Sequence, residues 1–406
     1  MKKGEYFASP KGLVNRYNHL VFNDFNNVKI FTKYFTSKQF SRNIQRIIDF
    51  QQQVIGQLKS KRHKTSNIAL CMRIVAPSGV KYPLPSMVKA YLDLLGRSFM
   101  DPKTSQKFLL YRDDKQIKYL NVDFAQSDGK EGIEINVSFK RLTTLLEEIL
   151  ICKELESEHL DENENCFEYL RDHERYINEF KQYLTDKETL VKKYGKEKTE
   201  QFHKINKSVL SSMYLFYPGL DLNVYYYLLN LDARLCSRIE GRAKHLYKGL
   251  GIKGLARSLS GFDYDMENIM TALYFKNFLV ASIPFLKGSS KLYAKELCGK
   301  TREYISKNIV LRECSPVVKV IIAFRPPHNQ KFNYSKDLDN IFKEYIFPGL
   351  NMCNVAFTGY EIIQLPVSKK YEEGMLAVAF SSPNKSLFVL TRDLIWDVEG
   401  HLDDDD

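Results

Sequence analysis

The order of apolar and polar positions is the same near both ends of the chain. Apolar residues that alternate or run together predict strands, and apolar residues that recur every three or four positions predict helices. In the first 140 residues this pattern predicts strands at 27–34, 68–75, 108–112, 117–124 and 133–139, with helices at 37–59 and 84–96. After residue 275 it predicts strands at 278–284, 317–324, 360–367 and 375–380, with helices at 291–307 and from 337 onward.

Between these ends the periodicity is helical, first in an acidic segment and then in one rich in Arg, Lys and Tyr. We therefore predict an α/β (α+β) protein in which two mixed-sheet domains, residues 1–140 and 273–406, flank a mostly helical insertion at 141–272. Each end runs strand, long helix, strand, loop, short helix and then a pair of strands, which indicates an internal duplication. Residues 83–95 align with residues 337–349, with Lys89 opposite Lys343.

The helix predicted from residue 337 starts with a dense set of polar groups. Residues 335–350 read SKDLDNIFKEYIFPGL, so Asp337 and Asp339 bracket one leucine and Lys343 follows one turn later. Either aspartate could cap the helix, which is the ordinary interpretation. The alternative is that the two carboxylates hold Mg²⁺, which prefers oxygen ligands, and that Lys343 stabilises phosphate charge.

A second acidic pair lies in the other copy. Asp113 and Asp114 precede a predicted strand, and the alignment places them near Thr358 and Gly359 of the later copy. The sequence DDK also suits an ordinary turn. Neither copy holds both acidic pairs, because the later aspartates lie opposite prolines at positions 83 and 85.

The DLDNxxK helix start and the DDxQ turn together resemble the RusA-type Holliday junction resolvase family. That resemblance covers residues 27–140 and 275–382, and it implies a Mg²⁺-dependent α/β endonuclease that acts as a homodimer. Asp337, Asp339 and Lys343 match the family's first motif, and Asp113 and Asp114 match its second. The gap from residue 89 to the DD turn is longer than in the compact family pattern.

If the two ends pack as a fused pseudo-dimer, the resemblance implies one composite site that binds Mg²⁺ or Mn²⁺ and hydrolyses a phosphodiester. Its catalytic residues would be Asp337, Asp339, Lys343, Asp113 and Asp114, and its metal ligands the four aspartates. Glu361 is either a further metal ligand or an exposed strand residue. The opposite site, lined by Pro83, Pro85, Thr358 and Glu361, would be inactive. One site implies one cut per chain, unless the protein dimerises.

Charge changes the picture by indicating the partner. The chain of 406 residues has a formal net charge of +11 and a pI near 9.0, which favours a polyanion. We expect branched or double-stranded DNA, bound by basic residues near the copies and in the helical middle. These candidates are Lys59, Lys61, Arg62, Lys64, Lys89, Arg238, Arg242, Lys248, Lys253 and Arg257.

The seven cysteines are scattered without a CxxC pair, and we find neither an apolar leader nor a long apolar run. These features favour a cytoplasmic protein with free thiols that binds no membrane. Two rival functions stay open: a catalytically inactive DNA-binding or recombination-accessory protein of the same fold, and an interaction protein whose helical middle binds another protein. The protein would work as a monomeric pseudo-dimer or as a homodimer. Because a shared metal requires carboxylate oxygens within about 5 Å, the separation of the acidic pairs tests the composite site.

Overall fold

The strands from both ends of the chain join in one mixed sheet. The computed structural model describes residues 9–58, 63–99, 107–159, 178, 181–182, 185–205, 279–283, 290–307, 311–312, 317–326, 337–364, 374–381, 383 and 386–404. The strands are β1 (Asn26–Thr32), β2 (Ile68–Pro77), β3 (Ile117–Ser127), β4 (Ile133–Arg141), β5 (Leu279–Ile283), β6 (Val318–Arg325), β7 (Phe357–Gln364) and β8 (Gly374–Ser381). Their order across the eight-stranded sheet is β1-β4-β2-β3-β7-β6-β8-β5. The predicted mixed α/β class is therefore confirmed.

Each half of the sheet repeats the same strand arrangement. β2 runs parallel to β3, as β6 does to β7, and the other pairs within each half are antiparallel. Both parallel pairs shift register at their first step, between Ile68 and Ala69 in one half and between Val318 and Lys319 in the other. The repeated order of elements in the sequence thus corresponds to a repeated topology.

The two halves meet where β3 pairs antiparallel with β7, and Asn121 lies opposite Glu361 at the centre of this seam. Tyr119 and Gly359 both follow the register shift in their parallel pairs and are therefore equivalent. Asn121 then corresponds to Glu361, and Asp113 to Cys353, across a pseudo-twofold axis. This corrects the sequence alignment, which placed Asp113 near Thr358. The strands β3 (IKYLNVDFAQS) and β7 (FTGYEIIQ) mix apolar and polar residues without a strict alternation, and such patterns do not fix a register.

The helices cover both faces of the sheet. They are α1 (Pro10–Asp24), α2 (Ser37–Ser41), α3 (Ile44–Gln57), α4 (Leu84–Gly96), α5 (Leu142–His159), α6 (Lys187–Tyr194), α7 (Ser290–Lys307) and α9 (Leu387–Asp404), with α8 between the last two. α8 consists of Leu338–Ile341, a π-helical stretch Phe342–Ile346, and Phe347–Met352. Helices α3, α4 and α8 contribute to the main hydrophobic core on one face, and α1, α5 and α9 contact one another on the other.

Several predicted elements differ from those observed. The single helix predicted at 37–59 is two helices, because the side chain of Asn43 caps α3 by accepting from the backbone N–H of Gln45. Residues 108–112 form no strand and make only two isolated bridges, through Phe108 and Tyr111. Helices α1 and α9 had not been predicted. No helix in the described ranges is both long and apolar enough to cross a membrane.

The predicted domain boundaries at 140/141 and 272/273 stay predictions. Of residues 141–272, the described part comprises 141–159, 178, 181–182 and 185–205, which includes α5 and α6. The basic candidates of this segment, Arg238, Arg242, Lys248, Lys253 and Arg257, lie outside the described residues, as do Lys59, Lys61 and Arg62.

A buried carboxylate ties α1 to the edge of the first half. Asp24 accepts hydrogen bonds from the ammonium of Lys64 at 2.8 Å, from the hydroxyl of Thr144 at 2.7 Å and from the backbone N–H of Arg141 at 2.8 Å. Burial by itself raises the pKa of Asp24, but these donors outweigh it and hold the pKa at about 2. The position of Lys64 is therefore explained by this ion pair without any DNA.

Asp24→Asn should destabilise the protein by about 3 kcal/mol at pH 7, because it leaves the cationic partners of Asp24 without their buried anion. The folded-state pKa lies below the unfolded value of 3.8, so the stabilisation is complete above about pH 4 and is lost as the pH falls towards 2. Urea unfolding of wild type and variant between pH 7 and pH 2.5 measures this. A stability difference that stays constant across that range would contradict it.

Candidate metal centre

The antiparallel seam brings the two acidic sequence motifs to the same end of the sheet. Because β3 runs antiparallel to β7, β3 starts beside the end of β7, and Lys118 near the start of β3 donates to the side chain of Gln364 at 2.9 Å. β6 runs parallel to β7, so its carboxyl end, and α8 after it, lie at this end too. The turn before β3 therefore meets the start of α8.

Three carboxylates converge at this point. One side-chain oxygen from each of Asp113, Asp114 and Asp337 lies within 4.8 Å of the others. We refer to these three residues as the acidic group. Within the described part of the chain, it is the only cluster of three or more His, Cys, Asp or Glu residues close enough to share a metal ion. The first two residues come from the amino-terminal half and the third from the carboxy-terminal half.

Asp337 stands at the N-cap position of α8 but does not cap it. Its backbone is extended, and its side chain makes no capping hydrogen bond. Oδ2 accepts from the amide of Asn340 at 3.1 Å, whereas Oδ1 is buried and has no hydrogen-bond partner. A buried carboxylate oxygen without a partner is costly, so the ordinary interpretation of Asp337 as a helix cap does not account for its conformation.

The turn before β3 is fixed by its own side chains. Asp113 Oδ1 accepts from the backbone N–H of Lys115 at 3.0 Å, and Gln116 Oε1 accepts from the backbone N–H of Asp113 at 3.1 Å. The amide of Gln116 also donates to the carbonyls of Lys64 and Ser66. Asp113 and Gln116 thus hold a 3₁₀ turn, Asp114–Gln116, while Asp114 contributes an oxygen to the acidic group.

The acidic group concentrates negative charge. Burial, the nearby charge of Asp337 and a hydrogen bond with Asp113 raise the pKa of Asp114 to about 7. The pKa of Asp113 is lowered, chiefly by the backbone N–H of Lys115. Asp114 consequently retains a proton part of the time at neutral pH, which limits the repulsion between carboxylates. A cation bound between them would have the same effect.

Asp339 lies next to the acidic group but outside it. Its side chain is buried, and its Oδ2 is 3.4 Å from the ammonium of Lys89 on α4, so an ion pair links the helices of the two halves. Burial raises the pKa of Asp339 in spite of this partner. The ammonium of Lys89 also lies 3.8 Å from Oδ1 of Asp93. The sequence predicted Asp339 as a metal ligand and Lys89 as a phosphate contact. In the structure each of these side chains is paired with the other.

Lys343 lies in the π-helical stretch of α8. Pro348 has no N–H to donate to the carbonyl of Glu344 four positions earlier, and the widened turn falls just before it. Single π turns inside α-helices occur often at functional sites. Lys343 is partly buried and interacts electrostatically with Asp93.

Two charged residues near the acidic group were missed in the sequence. Lys118 interacts with Asp337 and Asp113, although burial lowers its pKa. Burial raises the pKa of Asp93, which interacts with Lys89 and with Asp337. The sequence could have indicated Asp93, because this residue lies one turn after Lys89 on the predicted helix. Lys118 was harder to identify, because it is a single lysine within an apolar strand pattern.

Glu361 lies on the other face of the sheet. Its neighbour Tyr360 stacks on Phe342 of α8, with ring centroids 3.8 Å apart, and successive strand residues point to opposite faces. The Glu361 carboxylate accepts from the hydroxyl of Tyr119 and from the backbone N–H of Leu387 at 3.1 Å. Glu361 is therefore neither a ligand of this centre nor an exposed residue, and both sequence interpretations of it are wrong.

The opposite end of the seam carries different residues. α4 starts after Pro83, which makes no side-chain cap, and Cys353 occupies the position that corresponds to Asp113. The sulfur of Cys353 lies 3.3 Å from that of Cys298 on α7. Among the described residues this end has no cluster of acidic side chains like the acidic group.

Comparisons with protein-family models, with curated proteins and with solved structures gave no match for this chain.

Proposed function

We propose that this protein is a metal-dependent, structure-selective DNA endonuclease of the RusA-like type, with one catalytic centre built from both halves of the chain. The observation that carries the proposal is the convergence of Asp113 and Asp114 from one half with Asp337 from the other. Asp337, which matches the first motif of the resolvase family, and Asp113 and Asp114, which match the second, are far apart in sequence but lie together in space. The DLDNxxK and DDxQ resemblance supplies the reaction class.

The acidic group fits a small divalent cation. All three donors are carboxylate oxygens, and Asp337 Oδ1 is buried without another partner. A cation that binds two oxygens through bonds of roughly 2.0–2.6 Å holds those oxygens about as far apart as the carboxylate oxygens of the acidic group lie. When bound, Mg²⁺ or Mn²⁺ would activate water and neutralise the leaving oxyanion of a phosphodiester.

The side chains around the acidic group have separate tasks in this proposal. Asp113, Asp114 and Asp337 hold the cation, and Asp114 gives up its proton as the cation binds. Asn340 and Gln116 orient Asp337 and the turn through the hydrogen bonds described above. Lys118, Lys89 and Lys343 place positive charge near the acidic group, where a phosphate of the substrate would lie.

The pseudo-twofold arrangement limits the product. Because the acidic cluster exists at one end of the seam among the described residues, each chain would cut one strand. Paired cuts across a four-way junction would require two copies of the chain. The net charge of +11 supports a DNA substrate through attraction to its phosphates.

One observation favours a second candidate. Asp339 of the DLDN motif is buried against Lys89 and stands outside the acidic group, so the first motif contributes only Asp337 to it. A protein that binds branched DNA without cutting it would tolerate this arrangement. Such a protein would bind DNA equally well with and without a divalent cation at the acidic group.

Cleavage of end-labelled DNA tests the proposal. We expect the full chain with Mg²⁺ or Mn²⁺ to nick a four-way junction and a flap, to act far more weakly on linear duplex of the same sequence, and to be inactive with a chelator. Tight binding of the branched substrates without any cut in either metal would reject the nuclease and leave the inactive binding protein. Equal cutting of all three substrates would reject structure selectivity.

A further inference from the structure

A cavity of about 410 Å³ opens beside the acidic group on the side of the amino-terminal half. Its walls come from α2, α3, α4 and the segment before β3. Asp113 and Asp114 line it, so it is continuous with the proposed metal centre. No residue of the carboxy-terminal half takes part in its described lining.

The lining of the cavity is unlike that of a simple ion site. Its apolar walls include Phe40, Ile47, Leu94 and Tyr111, which are buried core side chains. Phe99 also lines the cavity and is 41% exposed, so part of its ring is open to a ligand.

Cationic and hydroxyl groups, together with the carboxylate of Asp93, complete the cavity. The guanidinium carbon of Arg97 is 5.9 Å from the centroid of the Phe99 ring, and Arg112 is exposed on the side of the acidic turn. Ser37 and Ser41, one helical turn apart on α2, provide hydroxyls at the wall. An aromatic face with an adjacent guanidinium is the chemistry that stacks a base and binds its phosphate.

The size of the cavity restricts what it can hold. A volume near 410 Å³ is at the lower end of the range for small-molecule sites. It accommodates a single nucleotide, whereas a base-paired helix is far too wide. The carboxylates at one end repel a phosphate unless a cation neutralises them, so a nucleotide would enter together with the divalent ion.

We propose that this cavity binds one unpaired nucleotide of the DNA, next to the phosphodiester that lies at the acidic group. The base stacks on Phe99, Arg97 and Arg112 contact the flanking phosphates, and Ser37 and Ser41 offer hydrogen bonds to the base edge. This rests on the proposed function, and it names the structural feature that the nuclease selects: a strand end or branch point at which at least one base is unpaired or can leave its pair.

Binding with Ca²⁺ tests the cavity independently of cleavage, since Ca²⁺ takes oxygen ligands as Mg²⁺ does. Fluorescence anisotropy gives the affinities for a nicked duplex and for the same duplex with a one-nucleotide flap at the nick. We expect wild type to bind the flap DNA about tenfold more tightly, since stacking of one base on an aromatic ring contributes on that scale.

Two variants should disable the proposed nucleotide site in different ways. Ser37→Leu/Ser41→Leu fills it from an exposed helix face, and Phe99→Ala removes the ring. Both should abolish the preference for the flap and leave the affinity for the nicked duplex unchanged. Gln45→Leu/Gln52→Leu adds the same two leucines at exposed positions of α3 that do not line the cavity, and it should keep the preference.

The outcomes separate this inference from the nuclease. A flap preference that survives in both cavity variants, or is absent in wild type, overturns the cavity proposal even if the protein cuts DNA. A preference lost in both cavity variants supports it even if no metal gives cleavage, in which case only the nuclease fails. If free dAMP binds with Ca²⁺ at the cavity while flap and nicked duplex bind equally, the cavity serves a free nucleotide and the proposal is wrong.

Discussion

Asp337→Asn and Asp114→Asn should each lower the rate of metal-dependent DNA cleavage on the order of 10²–10³-fold, while DNA binding changes little. Each change replaces one of three oxygen donors that lie within 4.8 Å of one another, and an amide is a much weaker ligand for a divalent cation. The two aspartates belong to different halves of the chain. Equal losses in both variants would therefore support one centre that needs both halves. Single-turnover cleavage of a labelled flap, with binding measured in parallel in Ca²⁺, separates the two effects.

The thermal stability of the same two variants should depend on Mg²⁺ differently from that of wild type. Without a divalent cation they should be at least as stable as wild type, because each removes one charge from a crowded cluster. Each 10-fold increase in Mg²⁺ concentration should raise the melting temperature of wild type, because the ion binds the folded chain. It should not raise the melting temperature of the variants. Asp393→Asn, an exposed change on α9, is the matched control and should behave as wild type in every assay. Full activity in Asp114→Asn with loss in Asp337→Asn would contradict a composite centre.

Gly359→Ala should destabilise the protein by about 3 kcal/mol or more, and it should separate the halves at the seam. A Cβ at this position would lie 2.1 Å from the carbonyl oxygen of Val122 and 3.2 Å from the Cα of Asp123. These are backbone atoms of β3, which cannot turn away as a side chain can. The strands would have to move apart where the first half pairs with the second. The acidic group lies at the other end of this seam and depends on the same pairing, so it should be disturbed as well.

Chemical unfolding and metal binding both report on this variant. We expect a lower midpoint in urea for Gly359→Ala and a loss of the Mg²⁺-induced rise in melting temperature. Gly56→Ala on α3 is the control, because a Cβ there meets nothing within 4 Å and alanine favours a helix by about 1 kcal/mol. It should leave stability unchanged or raise it. A Gly359→Ala protein with wild-type stability would mean that β3 and β7 do not approach each other as described.

Local sequence patterns were sufficient for most elements of the two ends. α4 starts and ends where the periodicity places it, and the strands β2, β3, β4 and β6 match their predicted positions to within about three residues. Apolar spacing is set by contacts within one element, so it can be read from the chain alone. The break between α2 and α3 depends on a cap at Asn43 that the apolar spacing did not show. The missed helix α9 buries residues such as Leu387 and Ile395 on the face that carries Glu361.

The candidate site was only partly predictable. The sequence predicted that the acidic pair at Asp113 and Asp114 lies near Asp337, and these three side chains do lie together. It did not show that Asp339 is held by Lys89, that Lys118 and Asp93 lie nearby, or that Glu361 faces away. Each of these depends on which face a side chain occupies after two distant segments pair, and an odd shift in register reverses that face.

The sequence by itself determined a duplicated α/β chain with two acidic motifs divided between its copies. Only the tertiary structure decided that β3 and β7 pair antiparallel, with Asn121 opposite Glu361, and that this pairing places Asp113 and Asp114 beside Asp337. The physical reason is the range of the interactions. Periodicity and caps arise between residues a few positions apart, whereas the contact between Tyr119 and Glu361 joins residues 242 positions apart, and nothing local fixes its register.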